Sequence, residues 1–427
     1  MDALPLISTN SSLFNRFKRV VNRKESADFN TAVLMEPARA IDFLNLDMPE
    51  LVCIDFSDQR FDAFGLLDGI MADPWIFHGG IIALCSRYEE CTRVETVKGA
   101  NIIVVIMEED VETQLPKILD IVRANKRILF QRELGIDLVW NISGSFKMEN
   151  DPLEASCYAN LISNFLCNSN RIDQNEKPML TMAIFEMLIN AIEHGNCGIT
   201  YKEKSDWLDQ GKVIQDLIRI KCEEPAVAAK RVTFEYGILP ECARFSVADE
   251  GRGFDWRSYL DGRRIADAAE LHGRGIAMAK RLIRNMRYNE TGTAVQFEIP
   301  YQKDVSAATP ALFKFIGSRS VRTGQVIFRY GETGNFMYYI VKGQYDVIVN
   351  GRVMSSLSPD DVFMGEMSFL LNNRRSATVK AKTAGTLIPI SKEDFVEAIK
   401  RKPHYALFLS RLLAQRIQRL NQRAFGA

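Results

Sequence analysis

Short apolar runs alternate with longer amphipathic stretches through the N-terminal third of the chain. The runs fall at 4–8, 31–35, 51–56, 81–85 and 101–107, and an amphipathic segment over 111–127 closes the series. Strand-length runs separated by helix-length segments predict a parallel, doubly wound α/β sheet over residues 1–133. Gly135 marks a boundary, and the pattern then changes. A strand-like 138–146 precedes helical 152–167, polar 168–175 and a second helix over 181–194. A charged, helical insert at 200–229 follows, then strands at 231–237, 243–248 and 293–299. This mixed order predicts an α+β sandwich over 134–301. Beyond a polar linker at 303–309 the runs become short and closely spaced: 325–329, 337–342, 345–350, 353–357, 379–382 and 386–389. Gly331, Gly334, Gly343 and Gly351 mark the turns between them. That rhythm predicts a β jelly roll over 302–427, ending in a helix at 405–423.

Composition narrows the function classes. A chain of 427 residues exceeds the ~250 residues at which single cores stop growing, so several domains are expected. The 54 basic and 54 acidic residues cancel, leaving no field to attract nucleic acid or a membrane surface. No apolar run approaches the ~18 residues needed to span a bilayer, and the Met-Asp-Ala-Leu-Pro start does not read as a signal peptide. Eight cysteines without CxxC spacing, among them Cys53, Cys197 and Cys242 beside apolar stretches, read as reduced thiols of a cytoplasmic protein. The four histidines are too dispersed for a zinc cluster.

The 181–194 helix carries the first candidate chemistry. Glu186, Asn190 and His194 recur every four residues, which predicts one shared polar face. Phe185, Leu188, Ile189 and Ile192 fall on the other side, to pack on a sheet. Two glycine-rich stretches follow, Asp249-Glu-Gly-Arg-Gly-Phe-Asp255 and His272-Gly-Arg-Gly275. Asp249, at a strand end, can accept from an adenine amino group. Gly251 and Gly253 let the backbone approach the base and ribose. Gly273 and Gly275 lead into a helical 276–284, turning free N–H groups and a helix N-terminus toward phosphates. Asn190 offers an amide oxygen to Mg²⁺, and Glu186 can orient or deprotonate a nucleophile. Gly292-Thr293 closes the set.

These motifs, in this order, resemble the adenine-nucleotide site of the GHKL ATPase superfamily. Within it, Asn190-Ala-Ile-Glu-His-Gly-Asn196 and Gly273-Arg-Gly-Ile-Ala-Met-Ala-Lys-Arg-Leu282 are similar to the anti-sigma factor serine kinases of bacteria. The resemblance implies ATP and Mg²⁺ as cofactors, Glu186 as catalytic residue and Asn190 as metal ligand. It also implies ATP binding by Asn190, Asp249, Gly251, Gly253, Gly273, Gly275 and Thr293. The implied reaction is γ-phosphoryl transfer to a serine or threonine of an anti-sigma-antagonist or sigma-factor-like partner. Sensor histidine kinases are less similar: His78 sits in a glycine turn and His404 follows a proline, so neither suits a phospho-acceptor. His194 reads as structural or close to the nucleotide. The 200–229 insert departs from the smallest of the serine kinases.

The first domain resembles a response-regulator receiver, with Asp55 closing Leu-Val-Cys-Ile-Asp55 in the place of the phospho-accepting aspartate. Thr9 and Asn10 stand where such domains carry an Mg²⁺-binding acidic pair. Cys85 or Ser86 takes the hydroxyl position, and the lysine closing the fifth strand is missing from Ile102–Met107. Without those groups a phosphoryl charge at Asp55 is uncompensated, so a docking or dimerising pseudo-receiver is expected.

In the third domain, Phe363-Met-Gly-Glu-Met-Ser-Phe-Leu-Leu-Asn-Asn-Arg-Arg-Ser-Ala-Thr378 resembles the phosphate-binding cassette of cyclic-nucleotide-binding domains, with Met364 as one extra residue. The resemblance implies that Gly365 opens a short helix holding the cyclic phosphate and that Glu366 takes the ribose 2′-hydroxyl. Arg375 supplies the cation, with Ser376 and Ala377 lining the pocket. Ser376 is compatible with cAMP and does not exclude cGMP. Leu409, Leu413, Ile417, Leu420 and Ala424 form one stripe of the last helix, with Arg411, Arg416, Arg419 and Arg423 elsewhere. That helix can cap the ligand, form a homodimer or cover the roll.

The combined reading is a cytoplasmic bacterial signalling protein: pseudo-receiver, ATP-dependent serine/threonine kinase, and sensor of cAMP or cGMP. The alternative is a non-catalytic switch that binds both nucleotides and sequesters its partner.

Overall fold

In the computed structural model, the described residues are 3–22, 31–47, 49–72, 79–97, 99–125, 128, 142–254, 282–301, 310, 313 and 315–425. The first unit is the predicted alternation: β1 (Ala3–Ile7), α1 (Ser11–Val21), β2 (Thr31–Met35), α2 (Pro37–Asp47), β3 (Leu51–Asp55), α3 (Ala63–Ala72), β4 (Gly80–Cys85), α4 (Tyr88–Glu95), β5 (Ile102–Met107) and α5 (Val111–Ala124). The strands pair in parallel in the order β2-β1-β3-β4-β5. The central strands β3 and β4 are buried along their whole length, as helices on both faces require.

The second unit packs two long helices on an antiparallel sheet. Its elements are β6 (Ile142–Met148), α6 (Pro152–Asn168), α7 (Lys177–Asn190), α8 (Tyr201–Asp209), α9 (Ile214–Lys221), α10 (Pro225–Ala228), β7 (Val232–Ile238), β8 (Cys242–Ala248), β9 (Arg284–Tyr288) and β10 (Ala294–Pro300). The sheet order is β6-β7-β8-β10-β9. Two expectations are corrected. Arg284 begins edge strand β9 rather than ending a helix. The 181–194 helix ends as an α-helix at Asn190 and continues as a π-turn over Ala191–Asn196. Residues 276–281 of the expected helix lie outside the described residues.

These two units share one core. The cluster containing Leu4, Phe17, Ile103 and Leu119 runs without a break into Ile162, Phe165, Ile184 and Phe297. β5 is the edge strand of the first sheet, and α6 covers it. Asn164 Nδ2 donates to the Ile102 carbonyl at 2.9 Å, and Lys177 Nζ donates to the Ala100 carbonyl. Side chains thereby satisfy edge carbonyls that another strand would otherwise seek.

The third unit is a roll of two four-stranded antiparallel sheets. Its strands are β11 (Arg319–Val321), β12 (Val326–Phe328), β13 (Phe336–Lys342), β14 (Tyr345–Val349), β15 (Arg352–Leu357), β16 (Phe363–Met364), β17 (Thr378–Ala381) and β18 (Gly385–Ser391). A short α11 (Glu366–Leu370) interrupts them, and α12 (Lys392–Arg401) and α13 (His404–Phe425) follow. The expected stripe of α13 is corrected at one point: Leu409 is buried, but Ile417 is 60% exposed and Arg416 turns inward instead. Among the described residues, no helix is long and apolar enough to cross a membrane.

Candidate functional site

The π-turn builds the centre of the second unit. Its wide hydrogen bonds run from Cys197 N–H to the Ile192 carbonyl (2.9 Å) and from Ile199 N–H to the Glu193 carbonyl (2.8 Å). A wide turn of this kind often marks a functional site. Here it brings the chain against the loop after β8. A Cβ on Gly251 would lie 2.1 Å from the Gly195 carbonyl oxygen, so the two backbones touch. Gly253 sits at φ +73°, where a Cβ would fall 1.9 Å from the Thr291 carbonyl oxygen. Both positions therefore need glycine, for a packing reason and a dihedral reason.

Asn196, which sequence reasoning passed over, is the tie between these segments. It is 1% exposed. Its Oδ1 accepts from Glu250 N–H at 2.8 Å, its Nδ2 donates to Asn150 Oδ1 at 2.8 Å, and Lys230 Nζ donates to its carbonyl at 2.9 Å.

The result is a cavity of about 740 Å³ between the π-turn, β9 and β10. Asn190, His194, Asp249, Gly253 and Thr293 line it, together with Tyr201, Phe254 and Tyr288. Glu186 does not line it, so the expected face of three residues is divided: Asn190 and His194 reach the cavity and Glu186 sits a turn behind. Gly251 serves the loop's approach to Gly195 rather than the wall. Gly273 and Gly275 lie outside the described residues.

Burial governs the electrostatics. The Asp249 carboxyl is pushed above the usual carboxylate range by burial, against the opposing Gly251 N–H (2.8 Å) and Lys230. Glu186 is also raised by burial, with Lys204 opposing and Glu193 adding. Burial lowers His194, although its bond to the Ile199 carbonyl and Glu193 favour the charged form. His194 Nδ1 faces that carbonyl at 2.5 Å and must donate, which leaves Nε2 of the neutral ring as an acceptor. Its ring lies 4.4 Å from Tyr201. Glu193 is 1% exposed and pairs at 2.5 Å with Lys204 from α8, and Thr200 and Tyr201 at the start of the insert line the cavity. Eleven positions separate Glu193 from Lys204, and no periodicity reveals the pair.

In the roll, Gly365 takes φ +76° and precedes α11. Arg375, 3% exposed, donates from Nη1 to the Gly365 carbonyl (2.7 Å) and Ser368 Oγ (2.8 Å), and from Nη2 to the Phe336 carbonyl. Its guanidinium lies 4.2 Å from the Phe328 ring centroid, and Nε is buried without a partner. Among the described residues, Arg375 thus arrives in the cassette as a cation with no carboxylate bonded to it. Ala377 is buried and Ser376 exposed. Glu366 pairs with Arg416 of α13.

In the first unit, Asp55 is 1% exposed at the switch point between β1 and β3. Ser8 Oγ donates to its Oδ2 at 2.7 Å, and Ser57 N–H and Oγ donate to its Oδ1. Thr9 Oγ1 is turned to Asp58 at 2.6 Å.

Comparison with known proteins agrees with two of the three units. The family profile of the histidine kinase-like ATPase domain matches residues 156–299, and that of the cyclic nucleotide-binding domain matches 318–402. A cGMP-dependent protein kinase of Plasmodium berghei is 34% identical over 80 residues, which are 19% of this chain and 9% of that protein. A cyclic nucleotide-gated potassium channel of Mesorhizobium japonicum is 28% identical over 184 residues, 40% of this chain and 51% of the channel. The chain therefore spans about half or less of these relatives. The crystal structure of the Thermus thermophilus catabolite activator protein is similar at 28% identity with a TM-score of 0.25, covering 26% of this chain and 55% of that one. The chain carries a histidine-kinase-like ATPase domain and, C-terminal to it, a cyclic-nucleotide-binding domain.

Proposed function

We propose that the chain is a bacterial, cytoplasmic signalling kinase of the anti-sigma type, transferring the γ-phosphoryl group of ATP to a serine or threonine of an anti-sigma-antagonist partner. One observation carries this reading: Asn190, Asp249, Gly253 and Thr293, from distant stretches, converge on a single cavity of about 740 Å³. Asp249 accepts the adenine amino group there. Asn190 on the wall fits one protein ligand of Mg²⁺, which keeps waters and phosphate oxygens as its other ligands and would screen the phosphate charge. Glu186 takes the proton of the attacking hydroxyl as its oxygen bonds the γ-phosphorus and the bond to ADP breaks. Burial raises its basicity for that task. Glu186 is not among the residues that line the cavity, and the attacking hydroxyl is that of the partner protein.

A cyclic nucleotide, cAMP or cGMP, regulates the transfer. Gly365, Glu366 and Arg375 with Ser376 and Ala377 form its site, and the Arg375 guanidinium, whose Nε is buried without a partner among the described residues, supports an anionic diester there. The first unit is a receiver-like docking module, in keeping with an Asp55 whose oxygens are taken by Ser8 and Ser57. Radiolabelled ATP with candidate partners, with and without cyclic nucleotide, tests the reading. Transfer by the wild type and its loss in Glu186→Gln support it. The position of Glu186 outside the cavity favours one second reading, a non-catalytic ATP-binding switch, in which Glu186→Gln binds the partner and functions normally.

A further inference from the structure

Two arginines enter the cyclic-nucleotide cassette, and the second comes from the last helix. Arg416 Nη1 donates to Glu366 Oε1, and its Nη2 donates to the carbonyls of Asp361 (2.5 Å) and Phe363 (2.8 Å). Those carbonyls flank Val362, which holds φ +64°. A β-branched residue in the left-handed region is strained and persists only where its surroundings fix it. Val362 is fixed from both sides: its N–H bonds the Pro359 carbonyl at 3.1 Å, and its own carbonyl accepts from Ile340 at 2.9 Å. The guanidinium adds a clamp across its neighbours. Among the described residues no donor takes the second oxygen of Glu366, and Arg375 is directed to Gly365, Ser368 and Phe336 instead.

We propose that Arg416 is a positioning residue of the nucleotide site: it holds one oxygen of Glu366 and the strained turn before it, so that the other oxygen is aimed at the ribose 2′-hydroxyl. The inference rests on the reading of Glu366 as the ribose acceptor. It gives the last helix a share in sugar recognition rather than only a cover over the roll.

The test compares cAMP and cGMP with their 2′-deoxy analogues by calorimetry on the full chain, in wild type, Arg416→Gln, Arg416→Lys and Glu366→Gln. A hydrogen bond to a charged group supports discrimination of about tenfold or more against the deoxy ligand. The expected result is that Arg416→Gln brings this ratio close to one and that Arg416→Lys recovers part of it. In the Glu366→Gln background, Arg416→Gln should have no further effect on the ratio. A wild type that binds neither nucleotide, or binds both forms of one equally, overturns the Glu366 reading and the inference with it. Discrimination that survives in Arg416→Gln overturns the inference alone, as does equal loss of both ligands, because Arg416 would then hold up the cassette and not the sugar contact.

Discussion

Lys177 is the first residue of α7, the helix that carries Glu186 and Asn190. Although the residue as a whole is only partly buried, its ammonium end points inward onto the Ala100 carbonyl. A cation at a helix N-terminus also opposes the helix dipole. Burial lowers its pKa to about 8, against 10.5 for a free lysine. The difference of 2.5 units, at about 1.4 kcal/mol per unit, makes the protonated folded state about 3 kcal/mol less favourable. Below pH 8 both states hold the proton and the penalty is fully present. Between pH 8 and 10.5 the unfolded chain binds more protons, so stability rises with pH until the penalty is gone. Lys177→Met removes the penalty and leaves the Ala100 carbonyl without its donor, a loss of about 1 kcal/mol. The variant should thus be about 2 kcal/mol more stable than wild type at neutral pH and about 1 kcal/mol less stable near pH 10.5. Urea unfolding followed by tryptophan fluorescence at several pH values measures the difference. A difference that stays flat with pH would refute a buried lysine of lowered pKa at this seam.

Three further outcomes are expected. Gly253→Ala combines a left-handed dihedral, about 1–2 kcal/mol for a residue with a Cβ, with a contact of 1.9 Å to a backbone oxygen. A fluorescent ATP analogue should bind it at least tenfold more weakly, with the cyclic-nucleotide affinity unchanged. Because burial raises the Asp249 carboxyl, ATP affinity should fall as acid protonates it at a pH above the usual carboxylate range. Calorimetry over a pH series that starts in the usual carboxylate range and runs upward should show that step in wild type and not in Asp249→Asn. Arg375→Ala removes the cation facing the diester, and a thermal shift with cAMP or cGMP should disappear. The shift with ATP should be retained.

The residues proposed for the two nucleotide sites are legible in the sequence where their spacing is local. Glu186 to Asn190, Asp249 to Gly253 and Gly365 to Arg375 are short spacings set by one helix, one turn or one cassette. What escaped depends on distance or on a change of period. The π-turn continues the apolar pattern of α7, so four-residue spacing extended the α-helix to His194 when it ends at Asn190. β9 is a short edge strand, Arg-Asn-Met-Arg-Tyr, whose polar residues face solvent and imitate a helix end. Asn196 and Glu250 are 54 positions apart, and Glu366 and Arg416 are 50 apart. In one dimension Arg416 is one of several arginines on a helix surface. Only the fold turns it inward. The shared core of the first two units is equally invisible, because each pattern predicts a complete layer by itself.

The π-turn has a further consequence for how this site tolerates change in chain length. A π-turn is an α-helical turn with one surplus residue, so removing one position between Ala191 and Asn196 would restore an ordinary helix. It would also turn everything downstream by about 100°. His194 would leave the cavity, and Asn196 would lose the Glu250 N–H that it bonds at 2.8 Å. The helix would gain regularity while the site came apart. Single-residue deletions here should therefore leave the fold's helix content intact and abolish nucleotide binding, a length constraint stricter than any one side chain in the turn imposes.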